Sequence, residues 1–310
     1  MARVALIGAG LIGRAWAIVF AQAGWEVALY DAEAAAADRA LAGVADGLEA
    51  LAAHGLVEDP QSAATRVRLA ADVGEAVHGA SFVQESVPET VEAKRAIFHL
   101  LDRLAPREAV LASSSSAIVP SLFTESLAGR DRCLVAHPVN PPHLVPLVEL
   151  VASPWTAPET ITRAKSVYEA VGQVPILVRR EIEGFVLNRL QGALLAEAFR
   201  LVGEGYASPQ DVDKAVKDGL ALRWSFMGPF ETIELNAPGG IADYCARYAP
   251  FYRRLQADAA RPSVYDERSV AGILDQWGAA PTVERIAARM RWRDRRLAAL
   301  KAHKAAQAPQ

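Results

Sequence analysis

The stretch VALIGAGLIGRAWAIVFAQAGWEVALYD, from Val4 to Asp31, limits what this chain can fold into more than any other segment. Its first four residues are an apolar run that stops at glycine, which is how a strand buried in a parallel sheet reads. From Leu11 the apolar residues Trp16, Ile18, Val19 and Phe20 lie in an alanine-rich segment that predicts a helix packed on that sheet. Gly24 ends the helix and EVALYD supplies a second strand. Strand, helix and strand in that order open a doubly wound α/β sheet.

Gly8, Gly10 and Gly13 form GxGxxG between the first strand and the helix. The three glycines serve different physical ends. Gly8 permits the tight turn, Gly10 lets backbone approach a pyrophosphate, and Gly13 lets helix pack closely on strand. The helix N-terminus meets the phosphate charge with unpaired N–H groups. The motif alone is weak, but Asp31 closes the second strand where a carboxylate accepts hydrogen bonds from an adenosine ribose. That carboxylate repels a 2′-phosphate and no arginine follows it closely, so the expected cofactor is NAD and not NADP.

Further along, VRLAAD, SFVQESV and AVLASSSS read as strands, with helical stretches at 89–105 and 120–128. CLVAHPV and VPLVELV are apolar runs separated by the proline-rich NPPHLVP, and PETITRAKSVYEAVG (a helix) precedes a last strand, VPILVR. After Arg180 helical periodicity takes over, beginning with GFVLNRLQGALLAEAFRLVGEG. We therefore expect an N-terminal doubly wound Rossmann domain over residues 1–183 and a smaller all-α domain over 184–310. The basic segment ERIAARMRWRDRRLAALKAHKAAQ is expected to present a solvated or dimer-flanking helical face.

Composition closes off other classes. A net charge of −3 argues against nucleic-acid binding and against a polybasic membrane contact. Cys133 and Cys245 are far apart, which offers no disulfide framework and no metal site. No uncharged apolar run is long enough for a membrane span, and the first strand begins almost at once, so the expected location is cytoplasmic.

Of six histidines, His54, His78, His99 and His303 read as ordinary surface or helix-end residues. His137 stands apart because it follows the strand CLVA at the sheet edge where ligands bind. The neighbouring run carries one acid, Glu149, costly to bury among valine and leucine unless it is paired. A His137–Glu149 pair suits alcohol oxidation: the carboxylate sets the imidazole tautomer and stabilises the imidazolium that forms. His143, flanked by prolines without an evident acid, ranks below it as base. The serines at 113–116 end another strand at the same edge, and read either as a polar turn or as a source of one substrate-binding hydroxyl. Asn188 reads as a polar residue inside an apolar helix, mildly unfavourable there on propensity.

The motifs GAGLIG, VPETVEAKRAIF, SSSSAIVPS, AHPVNPPHLVPLVELV and GFVLNRLQ resemble, in order and spacing, those of the 3-hydroxyacyl-CoA dehydrogenase superfamily. HPVNPP, PLVELV, GPFETIELNA and RWRD are similar to its lambda-crystallin branch, whose enzyme activity is L-gulonate 3-dehydrogenation. The resemblance spans essentially the whole chain and implies a homodimer formed through the second domain. It also implies that His137 is the base with Glu149 its partner, that Ser116 binds the reacting oxygen, and that Asn188 completes the site. Leu11 and Ile12 are implied to lie against the pyrophosphate, and Asp31, Glu89, Lys94 and Asn140 to contact the cofactor. Read by themselves, Glu89 and Lys94 look like a surface pair on a helix. Because relatives carry threonine or asparagine in the serine block, Ser115 is an alternative to Ser116.

The resemblance leaves two substrate types open. A CoA thioester brings phosphates that call for lysines or arginines. The stretch Ala32 to Gly79, implied to face that coenzyme, has no lysine, and only Arg39, Arg66 and Arg68 are basic. Arg223, in GLALRWSFMGPFE, reads as a bidentate clamp for a small carboxylate, or as the partner of Asp218 or Glu231. The expectation is NAD-dependent oxidation of a small 3-hydroxy acid, L-gulonate first. A short-chain 3-hydroxyacyl-CoA is the alternative substrate, and a non-catalytic crystallin-like protein the remote one.

Overall fold

The computed structural model describes residues 2–307. Eight strands form one sheet: β1 (Arg3–Ile7), β2 (Glu26–Tyr30), β3 (Val67–Leu69), β4 (Phe82–Glu85), β5 (Val110–Ser113), β6 (Cys133–Pro138), β7 (Leu147–Ala152) and β8 (Val174–Val178). Their spatial order is β3-β2-β1-β4-β5-β6-β7-β8. The first six run parallel, as a doubly wound sheet requires. β7 then pairs antiparallel with β6, and β8 lies parallel to β7. The reversal follows from the linker: residues 139–146 cannot make the longer crossover that a parallel return needs.

Helices cover both faces. α1 (Leu11–Gln22), α2 (Ala34–Ala52), α3 (Pro60–Ala64), α4 (Val73–Val77), α5 (Val91–Leu104), α6 (Ser121–Thr124) and α7 (Pro158–Ala170) connect the strands. Alternation along each strand sends residues to opposite layers. Val4 and Leu6 of β1 join Trp16, Phe20, Phe82 and Tyr168 on one face, while Ala5 and Ile7 join Phe98, Leu101 and Phe123 on the other. Trp16 is fully buried, stacks obliquely on Tyr168 at 5.4 Å, and satisfies its indole N–H on Ser114 at 3.1 Å.

A second unit, Leu187–Val283, is helical: α8 (Leu187–Gly203), α9 (Pro209–Lys214), a π-helical turn at Ala215–Leu220, α10 (Ala221–Trp224), α11 (Pro229–Glu234), α12 (Gly240–Ala257) and α13 (Glu267–Trp277). The last helix, α14 (Val283–Ala305), returns to the first unit from Glu284 onward. Contacts divide the chain a little differently from the expected 183/184 boundary. The first unit runs through Val186 and also takes the C-terminal helix, whose basic composition concealed an apolar strip. Ala298 and Leu297 of α14 enter the core layer that holds Val44, Leu48 and Leu51 of α2, and Lys301 donates to the His143 carbonyl at 2.8 Å.

Candidate active site

The glycine loop is shaped as its motif requires. Gly8 has φ +103°, and a Cβ there would meet the Ser86 carbonyl oxygen at 2.5 Å. A Cβ on Gly13 would sit 1.8 Å from the Gly8 carbonyl oxygen, so strand and helix pack too closely for any side chain. At Gly10 the same test meets no atom within 4 Å. No described residue excludes a side chain there, and a phosphate approaching the backbone would. Gly10 is also the N-cap of α1, which has neither a capping side chain nor an acid in its first turn. Its leading N–H groups are therefore left for an anion. Asp31 follows β2 directly; its carboxylate is oriented by the N–H groups of Ala9 at 2.6 Å and Glu33 at 2.9 Å. Leu11 is 55% exposed at the helix start and Ile12 is half-buried. These features fit a dinucleotide.

The four serines after β5 divide their work. Ser113 donates to Glu85 at 2.5 Å. Ser114 bonds Trp16, Gln84 and Ser86. Ser115 donates to Glu89 at 2.6 Å and holds Ile118 in a tight turn. These three are buried, and Ser116 alone of the four is exposed. Ser115, the alternative to Ser116, is spent on the scaffold.

Glu89 clamps this loop. One carboxylate oxygen accepts from Ser115 Oγ and from the N–H groups of Ser116 (2.8 Å) and Ala117 (3.2 Å). The other lies 3.1 Å from Lys94 Nζ. Burial alone would raise the Glu89 carboxyl, but Ser115 and the Lys94 charge outweigh it and hold it below the ordinary range. Lys94 is not the surface residue its sequence context predicts: it is 1% exposed and sits between Glu89 and fully buried Glu85, at 3.2 Å from the latter. Its ammonium faces two carboxylates, so any part it has in holding a cofactor passes through Glu89. Burial pushes Glu85 upward against the Lys94 charge and hydrogen bonds from Ser113 and Val87.

The His137–Glu149 pair forms as the two apolar runs imply. In the β6–β7 register His137 stands opposite Glu149, and Nδ1 lies 2.7 Å from Oε2. His137 is 6% exposed and Glu149 is fully buried. Since a carboxylate only accepts, Nδ1 carries the proton of this bond, and Nε2 is the ring nitrogen that Glu149 does not engage. The other Glu149 oxygen accepts the Val186 N–H at 2.8 Å. Sequence reasoning missed how this bond is made. Gly184 (φ +74°) and Phe185 (φ +51°) form a left-handed turn that aims Val186 N–H at Glu149 and sets the Phe185 ring 5.4 Å from the His137 ring. A non-glycine residue in that region costs about 1–3 kcal/mol, which complete burial of the Phe185 ring offsets. The GF dipeptide was the available signal.

Asn140 is exposed just beyond β6. Asn188 falls in the first turn of α8, not in a helix interior, so the propensity argument for a polar duty does not hold. Arg223 is exposed on α10. Neither acid suggested as its partner takes it: Asp218 pairs with Lys217 at 3.3 Å, and Glu231 accepts from the Gly228 N–H. His143 is half-buried and its pKa is pushed down to about 4 by burial; among the described residues no acid is bonded to its ring. Among the described residues no three His, Cys, Asp or Glu side chains are grouped to hold a metal, and no helix is long and apolar enough to cross a membrane.

Comparison with known proteins places these features in context. The family model of the 3-hydroxyacyl-CoA dehydrogenase NAD-binding domain matches residues 3–182, and that of its C-terminal domain matches residues 184–275. The lambda-crystallin homolog of Bos taurus is 43% identical over 312 residues, which cover 96% of this chain and 95% of that protein. L-carnitine dehydrogenase of Pseudomonas putida is 36% identical over 300 residues, with 96% and 92% covered. The solved structure of 5-formyl-3-hydroxy-2-methylpyridine 4-carboxylic acid 5-dehydrogenase, an NAD+-dependent dismutase, superposes with a TM-score of 0.86 at 28% identity, covering 99% of this chain and all of that one.

Proposed function

The chain belongs to the 3-hydroxyacyl-CoA dehydrogenase family of NAD-dependent enzymes acting on CH–OH groups, and from that premise we propose that it oxidises the 3-hydroxyl of a small free hydroxy acid, L-gulonate first. The observation that carries the reading is the buried His137–Glu149 pair at 2.7 Å. His137 Nε2 takes the hydroxyl proton, and Glu149, fixed from behind by Val186 N–H, stabilises the imidazolium. Ser116, on the loop beside β6, donates to the reacting oxygen, and Asn188 is the second polar residue proposed for the substrate. NAD, held by the Gly8–Gly13 loop and Asp31, would supply the acceptor for the hydride of the same carbon. A purely structural, crystallin-like protein has no need of a buried His–Glu pair.

Two features favour a free acid over a thioester. α2, implied by the family resemblance to face coenzyme A, carries no lysine and shares its apolar layer with α14. The cavity left between α1, α2 and α14, about 430 Å³, has acids as well as arginines on its wall: Asp46 and Asp294 beside Arg14, Arg291 and Arg295. A CoA phosphate is better served by lysines or arginines without acids beside them. Arg223, with no ion pair among the described residues, is the proposed clamp for the substrate carboxylate. The relative named L-carnitine dehydrogenase supports a substrate of this size.

The helical unit supports a homodimer made through residues 187–283. Leu222, Phe226, Phe230, Leu235 and Trp277 are each more than half exposed, a large apolar surface for one unit to leave in water. A cytoplasmic location completes the proposal.

The test is NADH appearance with L-gulonate and with (S)-3-hydroxybutyryl-CoA side by side. Turnover of L-gulonate is the expected result, with loss of apparent affinity in Arg223→Ala. Turnover of the thioester alone overturns the free-acid reading.

A further inference from the structure

Glu85 is a carboxylate with no exposed surface at the end of β4, and the chemistry outlined above has no use for it. Its contacts have a direction. It receives Ser113 Oγ at 2.5 Å from the end of β5 and Val87 N–H at 2.6 Å from the segment that leads to Glu89. It also holds Lys94 Nζ at 3.2 and 3.4 Å. Lys94 passes this on to Glu89 at 3.1 Å, and Glu89 grips the backbone N–H groups of Ser116 and Ala117. Both ends of the serine loop are thereby tied to one buried charge: Ser113 directly, and Ser116 through Lys94 and Glu89. The loop needs such a tie because Glu89 is itself 40% exposed, where a lone carboxylate would sample several rotamers. The Ser113–Val135 pairing of β5 with β6 brings the serine loop out beside His137.

We propose that Glu85 is a positioning residue of the active site, which through Lys94 and Glu89 holds Ser116 at the height where the substrate oxygen meets His137. The inference rests on the reading of Ser116 as the group that holds that oxygen. Glu89 is then first a clamp on the loop, and Glu85 sets how rigid the clamp is. A merely structural Glu85 would protect the fold everywhere and would be indifferent to whether residue 116 carries a hydroxyl.

Glu85→Gln keeps the volume and removes the charge that Lys94 needs. Hydrogen exchange on the NAD-bound protein reads the clamp without turnover: the Ser116 and Ala117 amides should exchange about tenfold faster or more, with amides in α7 unchanged. In the NADH assay kcat should fall about 10- to 100-fold, with the NAD dissociation constant within about twofold of wild type. In a Ser116→Ala background the same substitution should cost less than about twofold more, because the group being positioned is gone. Unchanged exchange at residues 116–117, or an equal cost of Glu85→Gln in both backgrounds, overturns the proposal. If Ser116→Ala alone leaves turnover intact, the reading of Ser116 fails as well, which separates the two failures. Should Glu85→Gln not fold, Ser113→Ala removes one bond to Glu85 and should move both readouts the same way by less; no movement counts against the proposal.

Discussion

His137 and Glu149 share one rung of the antiparallel junction between β6 and β7, with Nδ1 and Oε2 2.7 Å apart. Every other strand pairing in the sheet is parallel, and that reversal brings the histidine and its acid together on adjacent strands. His137→Ala should abolish NADH formation, a loss of about 10²- to 10⁴-fold from the missing base, while NAD binding by fluorescence stays intact. His137→Asn, which keeps a polar side chain but has no basic ring nitrogen, should lose the same activity. Wild-type turnover in either variant would remove His137 from the base role.

The glycine loop makes opposed predictions for two neighbouring positions. In Gly13→Ala the new Cβ would lie 1.8 Å from the Gly8 carbonyl oxygen, so the loop must open, and both stability and NAD binding should be lost. In Gly10→Ala the Cβ meets no protein atom within 4 Å. That variant should unfold within about 1 kcal/mol of wild type, yet bind NAD about tenfold more weakly or worse, since the methyl group occupies the pyrophosphate's approach. Thermal unfolding and NAD titration on both proteins check this; equal NAD affinity in Gly10→Ala would remove the pyrophosphate from this edge of the loop.

Asp31 is held by Ala9 N–H and Glu33 N–H, so its carboxylate cannot swing away from a 2′-phosphate. Asp31→Ser should narrow the preference for NAD over NADP by about tenfold or more, from the repulsion removed and the ribose bonds weakened. Ratios of kcat/KM for the two cofactors measure it, and an unchanged ratio would place the discrimination elsewhere.

His143 links stability to pH. Burial pushes its pKa from the usual 6.5 down to about 4, so the folded protein keeps the ring neutral while the unfolded chain takes up a proton. The groups that act on the ring, Asp294, Lys301, Arg14 and Arg293, contribute less than burial does. Above pH 6.5 the residue has no effect on the balance. As pH falls toward 4 it should remove up to about 3 kcal/mol of stability. Urea unfolding from pH 7.5 to about 4.5 should show that loss in wild type and a shallower one in His143→Asn. Parallel slopes would mean that His143 is protonated in the fold.

Much of the site was legible because it is written locally. GxGxxG, the acid closing β2, and a lone glutamate in an apolar run opposite a histidine each depend on residues near one another in the chain. The strands were legible for the same reason: buried parallel strands are apolar runs that end in turns. What escaped was set by long-range packing. Lys94 reads as a surface residue on a helix, and only the approach of β4 and the serine loop buries it. The C-terminal helix is mostly charged, so its few core residues, Leu297 and Ala298, do not stand out from sequence as a packing face.

By itself, then, the sequence determined the strand-and-helix succession, the cofactor loop with Asp31, and the identity of the histidine and its acid, since periodicity and the cost of burying a charge act over short stretches of chain. Tertiary structure decided which serine of four is exposed, that Lys94 links Glu89 to buried Glu85, that Phe185 and Val186 brace the His137–Glu149 pair, and that α14 belongs to the first unit. Those facts depend on which distant groups share a buried space. In a low-dielectric interior, the partner that a hydroxyl, carboxylate or ammonium finds there settles its role.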